Sequence, residues 1–87
     1  MTTVETLEPT ITAEDVQQWL AEYIADVLEI SESAIDFDTP FHQFGLDSSA
    51  VVGLVADLSE WSGVAIGIKS IRKNNSIHAL SQFIAAK

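Results

Sequence analysis

The residue best suited to chemistry in this sequence is Ser48, which follows Gly45, Leu46 and Asp47. Ser48 opens an apolar periodic stretch, so it lies at the amino end of a predicted helix. Free backbone N–H groups and the helix dipole favour an anion there, so a phosphodiester on this hydroxyl would lie in a favourable field. Gly45 lets another protein approach the backbone closely, and Asp47 places a carboxylate beside the hydroxyl.

Apolar periodicity predicts the helices that position this serine. The spacing of Val16, Leu20, Tyr23, Ile24, Val27 and Leu28, with Trp19 beside them, predicts a first helix over residues 13–29, capped by Thr12. A second helix is predicted over 48–61, capped by Asp47 or Ser48, and ends before Gly63. A short helical turn is expected in IKSIRK, and a last helix over 77–86 after the cap residue Ser76.

A long first loop separates the first two helices. Residues 31–44 break the helical pattern, and such a long connection is packed down or functional in a small domain. We expect four apolar residues to hold it against the bundle: Ile35, Phe37, Phe41 and Phe44. The fold class expected is therefore an all-α four-helix bundle with three longer helices and one short helix. Residues 1–11 are expected to form a flexible tail, and residues 12–87 a single domain.

Composition narrows the possible classes of function. The chain has 87 residues, no cysteine and a net charge of −9, so a disulfide framework and a zinc–thiolate site are excluded. Absence of cysteine fits a cytoplasmic location. No apolar run approaches the roughly 20 residues that cross a bilayer, so no membrane span is expected. Only four residues are Lys or Arg, which argues against nucleic acid as a partner.

The charges are segregated along the chain. All thirteen acidic residues lie between Glu5 and Glu60, and all four basic residues lie from Lys69 onward. This pattern fits simple solubility and also fits an acidic protein that docks basic partners.

The stretch from Asp36 to Ser49, DFDTPFHQFGLDSS, together with its placement, resembles the acyl carrier proteins of fatty-acid and polyketide synthases. An amphipathic helix and a long loop precede GLDS, and a short basic helix and a Ser-Ile step follow it; the resemblance covers residues 13–86. It implies that 4′-phosphopantetheine from coenzyme A is attached to Ser48 by a phosphopantetheinyl transferase, and that acyl cargo is held on its thiol. It also implies a carrier rather than an enzyme, served by an acyl-loading enzyme (an acyltransferase or acyl-AMP ligase) and by a ketosynthase or other synthase domains.

The sequence departs from the family pattern after the motif serine, where an apolar residue is usual and Ser49 stands. The second helix also has few acids, so we expect partners to contact an exposed stripe of Ser49, Val52 and Ala56, spaced i, i+3 and i+7.

The sequence LSEW at residues 58–61 is similar to the corresponding stretch of polyketide-type carriers, including those paired with fatty acyl-AMP ligases. Three further residues are either a solvated face or a partner or phosphate contact: Lys69, Arg72 and Lys73.

Other interpretations of these residues stay open or are weaker. Within the carrier class the alternative is a peptidyl carrier; outside it, an unmodified helical adaptor, which Ser49 favours. Ser48 also suits a plain helix cap. No metal site is expected, because Pro40 interrupts the calcium-loop spacing of Asp36, Asp38 and Asp47. A hydrolase built from Ser48, Asp47 and either His42 or His78 would lack a deep pocket and an oxyanion hole.

We expect the protein to be a monomer.

Overall fold

The computed structural model describes residues 11–86, and within them the chain forms four α-helices. They are α1 (Ala13–Leu28), α2 (Ser48–Ser62), α3 (Ile68–Lys73) and α4 (Ile77–Ala85). The α1–α2 loop contains two 3₁₀ helices, Glu32–Ala34 and Phe41–Phe44, which the sequence pattern did not predict. The prediction of an all-α bundle with three longer helices and one short helix is confirmed.

The predicted tail over residues 1–11 lies outside the described residues except for Ile11. Ile11 is half-buried and packs against the core.

Each longer helix begins at a side-chain cap. Thr12 Oγ1 accepts the Asp15 N–H at 3.1 Å, and Asp15 Oδ2 accepts the Thr12 N–H at 3.0 Å, which forms a capping box for α1. Ser76 Oγ accepts the Ala79 N–H at 3.1 Å and caps α4. Gly63 ends α2 in the left-handed conformation, with φ 75°. These caps explain why the predicted boundaries agree with the structure to within one residue.

The core lies between α1, α2 and α4, with α1 packed most extensively against α4. Eight buried residues from these helices form its centre: Val16, Leu20, Ile24, Leu54, Leu58, Ile77, Leu80 and Ile84. Val27, part of the predicted apolar stripe of the first helix, is instead 44% exposed. Ala21 and Ala25 of the same helix are buried instead.

The long α1–α2 loop is held against the segment between α3 and α4 and against the first turn of α4. The Phe41 N–H donates to Asn75 O at 2.7 Å, and the His78 N–H donates to Phe37 O at 2.9 Å. Phe41 and Ile35 of the loop are both buried. The loop is therefore part of the packed structure, as its apolar residues predicted.

We expect Leu58→Ala to lower the free energy of unfolding by about 2–5 kcal/mol, because Leu58 is fully buried and its truncation leaves a cavity. Val52→Ala is the matched control: Val52 lies on the same helix but is 55% exposed, so its change stays within about 0.5 kcal/mol. Urea denaturation measures both, and equal midpoints for the two variants would contradict the assignment of the core.

Candidate functional site

Ser48 is the first residue of α2 and its side chain is exposed. Its hydroxyl forms no hydrogen bond with any other residue in the range 11–86, and within that range the backbone N–H groups of Ser48 and Ser49 are also without acceptors. A free hydroxyl and free N–H groups at a helix amino end suit a phosphate ester.

Asp47 and Gly45 set the position of this helix end. Asp47 is the N-cap of α2: its Oδ1 accepts the Ala50 N–H at 2.8 Å, and its carbonyl accepts the Val51 N–H at 3.0 Å. Gly45 ends the preceding 3₁₀ helix with φ 81°, a left-handed conformation that favours glycine. The chain therefore turns at Gly45 and is capped at Asp47, which leaves Ser48 outside both arrangements and accessible.

A groove of about 450 Å³ lies beside Ser48, between α2, α3 and the 3₁₀ helix Phe41–Phe44. Most of its lining is apolar and includes Leu46, Val51, Val52 and Ile68. Four polar residues also line it: His42, Ser48, Arg72 and Asn75. The groove thus joins the Ser48 hydroxyl to an apolar surface with one cationic side chain.

The structure brings only some of the predicted partner-contacting residues to this groove. Ser49, Val52 and Ala56 are all exposed on α2, but of these only Val52 lines the groove. Of the three basic residues of α3, Arg72 lines the groove; Lys69 and Lys73 are exposed and do not.

Sequence reasoning missed the other walls of the groove, chiefly His42, Ile68 and Asn75. Ile68 and Ile71 share one face of the short helix α3, and that i, i+3 spacing is the signal that could have indicated an apolar wall. His42 and Asn75 carried no such signal, because hydrogen bonding of the loop to the α3–α4 segment decides their placement.

Asp57, one of the two acids on α2, interacts with α1. Burial raises the pKa of the Tyr23 phenol, and a hydrogen bond to the Asp57 carboxylate and the charge of that carboxylate raise it further. A Cβ atom at Gly53 would lie 3.4 Å from the Tyr23 hydroxyl, which is an ordinary van der Waals contact, so the phenol lies directly beside Gly53 of α2. Asp57 thus belongs to the contact between α1 and α2.

Residues 11–86 contain no group of three His, Asp or Glu side chains arranged to hold a metal ion. None of their helices is long and apolar enough to cross a membrane.

The fold and the accessible serine define a carrier-type helical domain, and comparison with known proteins gives its family. Residues 18–84 match the family described as the phosphopantetheine attachment site. The chain belongs to this family, whose members bind covalently attached 4′-phosphopantetheine. The free Ser48 hydroxyl, the free N–H groups and the adjoining groove fit such a group.

The fold is also similar to that of a free-standing peptidyl carrier protein from a secondary metabolic pathway of Acinetobacter baumannii. The two superpose with a TM-score of 0.79 at 19% sequence identity, over 86% of this chain and 94% of that chain. At this identity the likeness concerns the fold.

We expect Gly45→Ala to lower stability by about 1–2 kcal/mol, because an L side chain is strained at a φ of 81°. Nothing lies within 4 Å of the added Cβ, so the cost arises from the backbone alone. Gly63→Ala is the control, since Gly63 has a φ of 75° and also open space, but lies at the far end of α2. Both variants should lose similar stability in urea denaturation.

Only Gly45→Ala should also slow transfer of phosphopantetheine to the protein, measured by intact mass over time. Equal slowing by Gly63→Ala would show that reduced stability, rather than the turn before α2, controls modification.

Proposed function

We propose that this chain is an acyl carrier protein that bears 4′-phosphopantetheine on Ser48 and carries acyl intermediates as thioesters in polyketide or fatty-acid-type biosynthesis. The observation that carries this proposal is the exposed, unbonded hydroxyl of Ser48 at the amino end of α2, inside the segment that matches the phosphopantetheine family. The chain acts as a carrier, and other enzymes form and break the bonds of the cargo.

The chemistry of attachment suits the residues present. A phosphopantetheinyl transferase would move the group from coenzyme A to the Ser48 hydroxyl, where the helix dipole and the free N–H groups of Ser48 and Ser49 stabilise the phosphate charge. The thiol of the bound group supplies the thioester linkage. Since the chain has no cysteine, no protein thiol competes with it for the cargo.

The surface beside Ser48 supports docking by shape and apolar contact. Val52 is 55% exposed next to the groove, and Ser49 and Ala56 continue an uncharged stripe along α2. Arg72 and, beside it, Lys69 and Lys73 supply positive charge on α3. We assign this surface to the transferase, to the loading enzyme (an acyltransferase or acyl-AMP ligase), and to a ketosynthase or other synthase domains.

We propose further that the domain spans residues 12–87 and that the protein works as a monomer in the cytoplasm.

A peptidyl carrier is the second candidate, because the structurally similar Acinetobacter baumannii protein is a peptidyl carrier. The loaded cargo distinguishes the two: purification from the native host and mass analysis of the thioester would identify a fatty or polyketide acyl group, or an amino acid. An amino acid would replace the acyl assignment with the peptidyl one.

We expect Ser48→Ala to abolish phosphopantetheine transfer and Ser49→Ala to leave it largely intact. Incubation with coenzyme A and a broad-specificity transferase, followed by intact-mass measurement, should show one added group on the wild type and on Ser49→Ala. Both variants should stay within about 1 kcal/mol of wild-type stability, because Asp47 rather than either serine caps α2.

The opposite pattern would move the attachment point to Ser49. If the wild type itself accepts no group, the chain is an unmodified helical adaptor, the third interpretation.

We expect Val52→Asp to lower kcat/KM for the loading enzyme about tenfold, because a carboxylate would be desolvated in an apolar contact beside Ser48. The loss should exceed that caused by raising salt from low to physiological concentration, since no acid lies on the stripe next to Ser48. Val27→Asp is the matched control: Val27 is 44% exposed on α1, so the same change of charge there should have little effect. A silent Val52→Asp together with loss of turnover in salt would show that recognition is electrostatic.

A further inference from the structure

Arg72, the only arginine of the chain, lines the groove beside Ser48. Ile68 of the same short helix lines the groove as well, whereas Lys69 and Lys73 do not. Residues four apart on a helix share a face, so Ile68 and Arg72 lie on one face of α3 and the two lysines lie on another. Helix α3 therefore presents one cation to the attachment site and presents its other two cations elsewhere.

The backbone that carries Arg72 is held on both sides. Ile71 is buried and belongs to the core, which anchors α3. The backbone N–H and the side-chain amide of Asn74 both donate to Ser70 O at 2.9 Å, and these two bonds close the carboxyl end of the helix. The Arg72 side chain is itself exposed, so a fixed backbone carries an accessible guanidinium.

The Arg72 guanidinium has no partner in the described part of the chain. The ion pair found there joins His78 to Asp38, and the Arg72 side chain makes no hydrogen bond there. None of the described residues that line the groove is Asp or Glu. Asp47, the acid next to Ser48 in sequence, caps α2 through its Oδ1 atom. The N–H donors of Arg72 are therefore available to an anion.

A phosphodiester on Ser48 would supply such an anion in the same groove. It carries one negative charge on two oxygens, and the forked N–H donors of a guanidinium match two such oxygens at once. The free N–H groups of Ser48 and Ser49 are neutral, so they leave the charge of the phosphate uncompensated. His42 and Asn75 also line the groove, but neither side chain combines a permanent charge with a fork of donors. Arg72 is thus the groove residue that fits the phosphate.

We propose that Arg72 is a positioning residue for the prosthetic group: its guanidinium binds the phosphodiester on Ser48 and directs the attached arm along the groove. This inference rests on the proposed attachment of phosphopantetheine to Ser48. It separates Arg72 from the two lysines of α3, which remain available to partner enzymes. An arm directed in this way samples a smaller volume, which raises the effective concentration of its thiol near an enzyme docked on α2.

The first measurement compares the full-length wild-type protein before and after incubation with coenzyme A and a broad-specificity transferase. Because the chain has one arginine, its Nε–H group gives a single signal in a nitrogen-15 correlation spectrum. Modification should shift this signal downfield and slow its exchange with water, as expected for donation to a phosphate oxygen. High salt should reverse the shift, since the Arg72 side chain is exposed and the pair is screened.

Intact mass separates the two ways in which this measurement can fail. An unmoved Arg72 signal in a protein that has gained the mass of the group would overturn this inference and leave the proposed function intact. A protein that gains no mass would overturn the proposed function, and this inference with it.

Arg72→Gln and Lys73→Gln are a matched pair of variants, since each removes one positive charge from an exposed position of α3. After complete loading, judged by intact mass, the phosphorus-31 line of Arg72→Gln should be about two-fold narrower than that of the wild type, because the first bonds of the arm then rotate freely. Lys73→Gln should keep the wild-type line. Arg72→Lys should give an intermediate line, because an ammonium keeps the charge but lacks the fork.

Two results with these variants would overturn the inference. Equal narrowing in Arg72→Gln and Lys73→Gln would show an effect of the charge of α3 alone. A wild-type line in Arg72→Gln would show that the guanidinium is solvated and does not contact the phosphate.

Discussion

The attachment of the long α1–α2 loop to Asn75, before α4, and to His78, in the first turn of α4, is the constraint on which the rest of the structure depends. Two backbone hydrogen bonds make it, from the Phe41 N–H to Asn75 O and from the His78 N–H to Phe37 O, at 2.7 and 2.9 Å. Phe41 itself is buried in the core. Because the 3₁₀ helix that begins at Phe41 leads directly to Gly45 and Asp47, these bonds determine where α2 begins and hence where Ser48 is presented.

The site itself needs little additional structure. A carrier must expose one hydroxyl at a helix end and leave that hydroxyl free of hydrogen bonds to other side chains. The cap by Asp47 and the left-handed turn at Gly45 allow this through short-range interactions. The groove beside Ser48 depends instead on tertiary packing, because α3 forms one of its walls and the α1–α2 loop forms another. One face of α2 thus belongs to the core through Leu54 and Leu58, and another face forms the groove together with α3.

The electrostatics of the molecule divide it into surfaces of different character. Near Ser48 the exposed stripe of α2 is uncharged, and the nearest cations are on α3. Along α1 the carboxylates of Glu22 and Asp26 are exposed, and Asp57 interacts with Tyr23. The acidic residues all lie before Lys69 and the basic residues from Lys69 onward, so the net charge of −9 is unevenly spread along the chain.

The sequence by itself determined the helices, their ends and the residue at the centre of the site. Helix periods and the caps Thr12 and Ser76 act over a few residues, so they can be predicted without knowledge of the fold. For α2 the sequence allowed Asp47 or Ser48 as the cap, and the structure shows that it is Asp47. Only the tertiary structure decided that Val27 is exposed, that Arg72 but not Lys73 reaches the groove of Ser48, and that Trp61 stacks on Trp19. These features depend on which faces of the helices meet and on how the α1–α2 loop is held in place. Both involve residues that are far apart in the chain, so no single stretch of sequence predicts them.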